Sequence, residues 1–131
     1  MSDITEPAAR RLLIDHTRDM ALSDEDPAHI VDRTLTDDAV WVTDGTELTR
    51  GQLIAHAAPA RKNVTAGHMR IDDLLVDGRR FAARCCLTAQ HRKLGRVVSE
   101  WLLIGEVAED GRVRRIHQLG RTPTAEPETG E

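Results

Sequence analysis

The chain has 131 residues, 40% of them hydrophobic and 31% charged, with a formal net charge of -4. That length closes one hydrophobic core rather than two, the composition excludes wholesale disorder, and the missing basic excess argues against nucleic acid as a partner. No apolar run approaches the roughly 20 residues that cross a bilayer. The longest candidate, Trp101 to Ile104, is cut by Gly105 and Glu106, so no membrane partner is expected. Met1 to Pro7 lacks the charged, apolar and small-residue order of an export signal, which makes the cytoplasm the default compartment.

In chain order, Thr5 as N-cap, Glu6 and Pro7 announce a first helix with an apolar row at Ala9, Leu12, Leu13 and Met20, on which His16 also falls. A second, shorter helix begins near Pro27 after the acidic Asp24, Glu25 and Asp26, turns Ile30, Val31 and Leu35 inward and ends near Thr36. Ala39 to Thr43 reads as a short strand closed by the Asp44-Gly45 turn. Thr49 caps a third helix running through Leu53, Ile54, Ala57 and Ala58, broken by Pro59 or soon afterwards.

From Gly67 onward the apolar period becomes two, as in Met69 and Ile71 and then Phe81, Ala83, Cys85, Leu87 and Ala89. Turn signals at Asp77-Gly78, Lys93-Leu94-Gly95 and Asp110-Gly111 divide this half into four antiparallel strands. Gly78 to Gly95 is 17 positions and Gly95 to Gly111 is 16, so the strands are long. A dozen paired residues span roughly 40 Å, and a twisted sheet of that length bends. The expected fold is therefore α+β, a curved antiparallel sheet wrapped around about three N-terminal helices, with a pocket at its open end. Cys85 and Cys86, neighbours on one strand, point to opposite faces and read as free thiols.

Trp101, Leu102, Leu103 and Ile104 alternate between the two faces of one strand, so both faces are expected to be dry there. One chain has too few helices to cover both, which predicts a homodimer through the outer sheet face. A harmless exposed strip or cover from the tail is the alternative. Residues 1–121 form one domain in this reading. Residues 122–131 hold two prolines, three glutamates and no large apolar residue, and read as a disordered tail.

At this point the pattern resembles the SnoaL-like branch of the nuclear transport factor 2-like superfamily, over roughly residues 8 to 121. The resemblance rests on Leu35-Thr36-Asp37-Asp38-Ala39-Val40-Trp41-Val42, on Thr49-Arg50-Gly51-Gln52-Leu53, and on the late hairpins at Val76-Asp77-Gly78-Arg79 and Asp110-Gly111-Arg112-Val113-Arg114-Arg115-Ile116. It implies a cone that hosts steroid isomerases, polyketide cyclases, epoxide hydrolases, noncatalytic oxygenase subunits and plain binding modules, so fold settles little about activity. Where similar isomerases carry a base, this chain has Trp41 and Thr43, with Asp44 adjacent but turned away. Where they carry an oxyanion-binding tyrosine it has approximately His16, and where they carry an acid it has the apolar Trp101 and Leu103. The cyclases' aspartate falls around Gln118 and Gly120, which cannot abstract a proton, and no Asp-Arg-Asp set of the hydrolase kind assembles.

His16 is thus the candidate catalytic residue: an imidazole on an apolar helix face can donate, accept or change charge near neutral pH, unless it is a core histidine bonded to a carbonyl or water. Trp41, Thr43, Trp101, Gln118 and His91 are the candidate ligand contacts. His91 closes the inward row of its strand and is expected at the pocket mouth, facing His16 or Trp101, with a solvated strand end as the alternative. The six histidines form no H-x-H or H-x-x-x-H pair, so no metal and no cofactor is expected. Arg112, Arg114 and Arg115 read as a solvated edge. The leading expectation is a mainly apolar pocket for a small hydrophobic or polycyclic molecule, with cofactor-independent isomerase, cyclase or hydrolase chemistry if there is turnover. The alternative is a noncatalytic dimerisation or protein-interaction module.

Overall fold

The computed structural model describes residues 3–122. Helix α1 (Glu6–Leu22) begins where the Thr5 hydroxyl accepts from the Ala8 amide, with Pro7 in the first turn. Ala9, Leu13 and Met20 form its buried row. At its other end the Arg61 guanidinium donates to the carbonyls of Asp19 and Met20 at 2.9 and 3.1 Å, placing a cation on the negative end of the helix. Helix α2 (Pro27–Thr34) starts on the Asp26 carboxylate and buries Ile30 and Val31 completely.

Strand β1 (Leu35–Thr43) follows α2 without a linker, so the helix is shorter and the strand longer than the sequence suggested. The reason is a register shift against the last strand between Leu35 and Val40, which hides the two-residue period of this stretch. Arg112 closes the α2 end by donating to the carbonyls of Asp32 and Leu35. It also pairs with Asp110 at 2.9 Å, so it is a structural clamp and not part of a solvated edge.

Asp44 (φ 50°) and Gly45 (φ 84°) turn the chain into the three-residue strand β2 (Thr46–Leu48). The third helix comes in two pieces, α3 (Arg50–Ala55) and α4 (Ala57–Asn63). Thr49 and Gln52 form a reciprocal capping box at its start. The break falls at His56 and not at Pro59, because the proline ring collides with the carbonyl four residues back, on Ala55, and is accommodated only in the first turn of a new helix.

Four long strands complete the chain: β3 (Val64–Asp77), β4 (Arg80–His91), β5 (Gly95–Val107) and β6 (Val113–Arg121), of 14, 12, 13 and 9 residues. The connecting turns contain Gly78, Gly95 and Gly111 in the left-handed backbone region. The sheet order is β2-β1-β6-β5-β4-β3, and it is curved and unclosed. The β1–β6 pairing is parallel while the others are antiparallel, so the sheet is mixed rather than purely antiparallel. No hairpin joins β1 to β6, and the direction of that pair is therefore free of the constraint that fixes the other strands.

The strand alternation divides the side chains cleanly. Met69, Ile71, Phe81, Ala83, Cys85, Leu103, Ile116 and Gln118 are buried on the inner face, whereas Leu75, Leu102, Ile104 and Leu119 are more than half exposed on the outer one. A side chain at Gly105 would put its Cβ 2.4 Å from Cζ of Phe81, so this glycine lets the ring lie flat across β5. Both cysteines are free, and burial pushes the Cys85 thiol up to about 11. No helix among the described residues is long and apolar enough to cross a membrane. Beyond Thr122, the expected disordered tail lies outside the described residues.

Candidate functional site

Five of the six sequence candidates fall on one continuous path across the inner face. His16 and Trp41 stack obliquely, with ring centroids 5.6 Å apart and planes inclined by 36°. The Trp41 indole N–H donates to Oγ1 of Thr43 at 3.1 Å. Thr43 lies beside Gln118 across the parallel β1–β6 pair, and Gln118 lies beside Leu103 on β5. One step along the same face, Trp101 sits opposite Gly120.

His16 occupies the border of the buried row of α1. Its Nδ1 is enclosed and has no hydrogen-bond partner among the described residues. Burial lowers its pKa to about 4, opposed by the Asp19 carboxylate and reinforced by the Arg33 guanidinium. Arg33 in turn bridges Asp19, at 3.0 Å, and Glu25. The imidazole is consequently neutral at pH 7, a hydrogen-bond donor and acceptor but a weak base. It also borders a cavity of about 430 Å³ between α1, α2 and the β5–β6 turn, whose wall mixes Ile4, Leu12 and Val107 with Asp15, Asp19 and Arg33.

Gln118 is 8% exposed. Its side-chain amide and the Trp101 indole N–H both lack hydrogen-bond partners among the described residues. The backbone beneath them is held from the β1–β2 turn: the Asp44 amide donates to the Gln118 carbonyl, and the Asp44 carboxylate accepts from the Gly120 amide, each at 2.9 Å. The Asp44 carboxylate is therefore engaged in this clamp.

His91 stands elsewhere, at the far end of β4. Its Nδ1 accepts from the amides of Lys93 and Leu94, both at 3.1 Å, which makes it a cap for the β4–β5 turn. Cys85, which pairs with Trp101, is about six residues or about 20 Å away along the strand, so His91 faces neither Trp101 nor His16. Among the described residues no three His, Cys, Asp or Glu side chains converge to hold a metal ion.

Sequence reasoning passed over three participants: Asp44 as clamp, Gly120 as the platform under Trp101, and the Asp19–Arg33 pair beside His16. The signal for Asp44 was its place in an Asp-Gly turn, where a short carboxylate can reach a neighbouring backbone. The other two have only long-range partners and left no local signal.

No protein-family model and no curated protein matches the sequence. Solved structures do match the fold. AclR from Streptomyces galilaeus, a candidate hydroxylase, superposes with a TM-score of 0.71 at 13% identity, covering 91% of this chain and 82% of its own. A candidate SnoaL-like polyketide cyclase from Shewanella denitrificans OS-217 gives 0.69 at 11% identity, covering 88% and 92%. A protein of ketosteroid isomerase-like fold from Catenulispora acidiphila DSM 44928, solved with trimethylamine, gives 0.64 at 10% identity, covering 88% and 85%. An α+β cone with a helix-lined inner face is thus the class to which the molecule's architecture assigns it. More narrowly, the fold is similar to those of solved structures described as a SnoaL-like polyketide cyclase and as a protein of ketosteroid isomerase-like fold.

Proposed function

We propose that the inner face binds a small, largely apolar or polycyclic molecule, and that His16 is the polar group that orients it and exchanges a proton with it, without a cofactor. The observation that carries this reading is the unpaired, enclosed Nδ1 of His16 against the face of Trp41. A buried polar atom without a partner costs about 1–3 kcal/mol, a cost offset when a ligand supplies the missing hydrogen bond. The chemistry open to a neutral imidazole is isomerisation, cyclisation or water addition by proton transfer. Native mass spectrometry of the purified chain identifies what copurifies, and turnover of that molecule by the His16→Gln variant tests the role. A rate reduced at least 100-fold with the fold intact supports it, and an unchanged rate removes His16 from the mechanism.

A second reading, a dimerisation or interaction module, draws on the outer sheet face. Leu75, Leu102, Ile104 and Leu119 are 73%, 53%, 55% and 56% exposed around a shallow hollow of about 660 Å³. An apolar surface of this kind is a general mark of association. At one end a cross-strand row alternates in charge, Arg80, Glu106, Arg115, an order that two copies related by a two-fold axis can match. Ligand binding inside and self-association outside use opposite faces and are compatible.

A further inference from the structure

Charge is distributed unevenly along the chain. None of its 22 acidic residues falls in the stretches 48–71 and 78–99, although the formal net charge of the whole is -4. The two stretches lie side by side, since they supply α3, α4, the first half of β3, all of β4 and the start of β5. At their shared end Val64 pairs with His91 and His91 with Gly95, which brings the end of α4 against the β4–β5 turn. Lys62, Arg92, Lys93 and Arg96 are all exposed there.

The tip of that turn adds an apolar side chain to the cations. Leu94 follows Arg92 and Lys93 and is 71% exposed. The backbone beneath these three residues is satisfied from within. The Arg92 amide donates to the Asn63 carbonyl at 2.6 Å, and the amides of Lys93 and Leu94 donate to Nδ1 of His91, both at 3.1 Å. The Arg92 guanidinium donates to the Lys62 carbonyl at 3.0 Å and so fastens the turn to α4. Unpaired backbone amides penalise entry into a medium poor in water, and this tip has matched its own in advance.

We infer that this basic pole docks on an anionic lipid surface, with Lys62, Arg92 and Lys93 facing the headgroups and Leu94 inserted among them. Cations spread over a turn and a helix end match a plane of negative charge, to which each lysine or arginine adds about fivefold in affinity. A nucleic acid strand would call for stacking side chains, but Trp41, Phe81 and Trp101, the aromatic residues of the chain, all belong to the inner face. An acidic polypeptide would leave Leu94 in water, whereas a lipid interface takes up the leucine and the charges together. Surface attachment needs no spanning segment, which agrees with the helices described above. It involves neither of the two hollows, whose lining residues lie elsewhere.

The test is cosedimentation of the full chain with vesicles of phosphatidylcholine alone and with vesicles containing about one-third phosphatidylserine. Binding is expected only to the anionic vesicles, and it should fall steeply between low salt and about 0.5 M salt. Lys62→Gln together with Lys93→Gln should weaken it about 30-fold. Leu94→Ser should weaken it about tenfold, while Leu75→Ser, on the outer sheet face, should leave it unchanged. Far-ultraviolet circular dichroism establishes that each variant is folded. Equal retention on both kinds of vesicle, retention on neither, or retention that Leu94→Ser leaves intact overturns the inference. Binding of poly-L-glutamate or duplex DNA under conditions where the anionic vesicles are not bound also overturns it, and assigns the pole to an acidic polymer instead.

Discussion

The buried imidazole of His16 is the residue whose titration most sharply separates the folded from the unfolded chain. Its folded pKa, about 4, lies below the ordinary 6.5. Above pH 6.5 both states hold it neutral; between 6.5 and 4 the unfolded chain takes up a proton that the folded chain refuses. Stability present above pH 6.5 is therefore lost as the pH falls toward 4, by on the order of 3 kcal/mol in total. Denaturant melts of the parent and His16→Leu chains across this range check it: the slope that the variant lacks belongs to His16. If the neutral imidazole is the working form, kcat should hold from pH 7 down and fail with an apparent pKa near 4. Gly105 makes a second prediction. An alanine there meets the Phe81 ring, and Gly105→Ala should cost about 1–3 kcal/mol in urea melts, an amount that Phe81→Leu in the same chain largely restores. The placement of His16, Trp41, Trp101 and Gln118 was legible because it follows from helical and two-residue periods. The Gly120–Trp101 contact and the Asp44 clamp were not, since each joins residues whose proximity depends on the register of β6 against its neighbours.

At the scale of elements, the helices are held by cations from distant parts of the chain. Arg61 on α4 satisfies the last carbonyls of α1, and Arg112 after the β5–β6 turn satisfies those of α2. Arg61→Ala should destabilise the chain by about 1–3 kcal/mol, because it removes charged donors from half-buried carbonyls. Hydrogen exchange should show the loss concentrated in the last turn of α1, and uniform loss of protection would contradict a local cap. The N-terminal caps at Thr5 and Thr49, by contrast, were readable in advance, since each acts on an amide three residues away. The four long strands were readable because their glycine turns mark both ends. The split of the third helix and the early start of β1 were obscured, one by a proline that permits a new helix as readily as it ends an old one, the other by the bulge in β1.

At the scale of the molecule, the outer face makes the claim most easily refuted. Two copies joined there should scatter light as a 29 kDa particle, twice the 14.6 kDa of the chain. Leu102→Glu together with Ile104→Glu should return it to a monomer without altering its far-ultraviolet circular dichroism, whereas a parent chain that is monomeric at micromolar concentration would count against self-association. The parallel pairing of β1 with β6 has a consequence of another kind. Thr43 and Gln118 adjoin across the sheet although nearly the whole of the strand meander separates them along the backbone. During synthesis β1 is among the first strands to leave the ribosome, yet its neighbour is the last, so its outward hydrogen-bonding groups wait unmatched until translation is almost finished. A nascent polypeptide that stops short of residue 113 lacks the strand that covers this side of β1, and its bare β1 edge is the place where it would stick to its siblings.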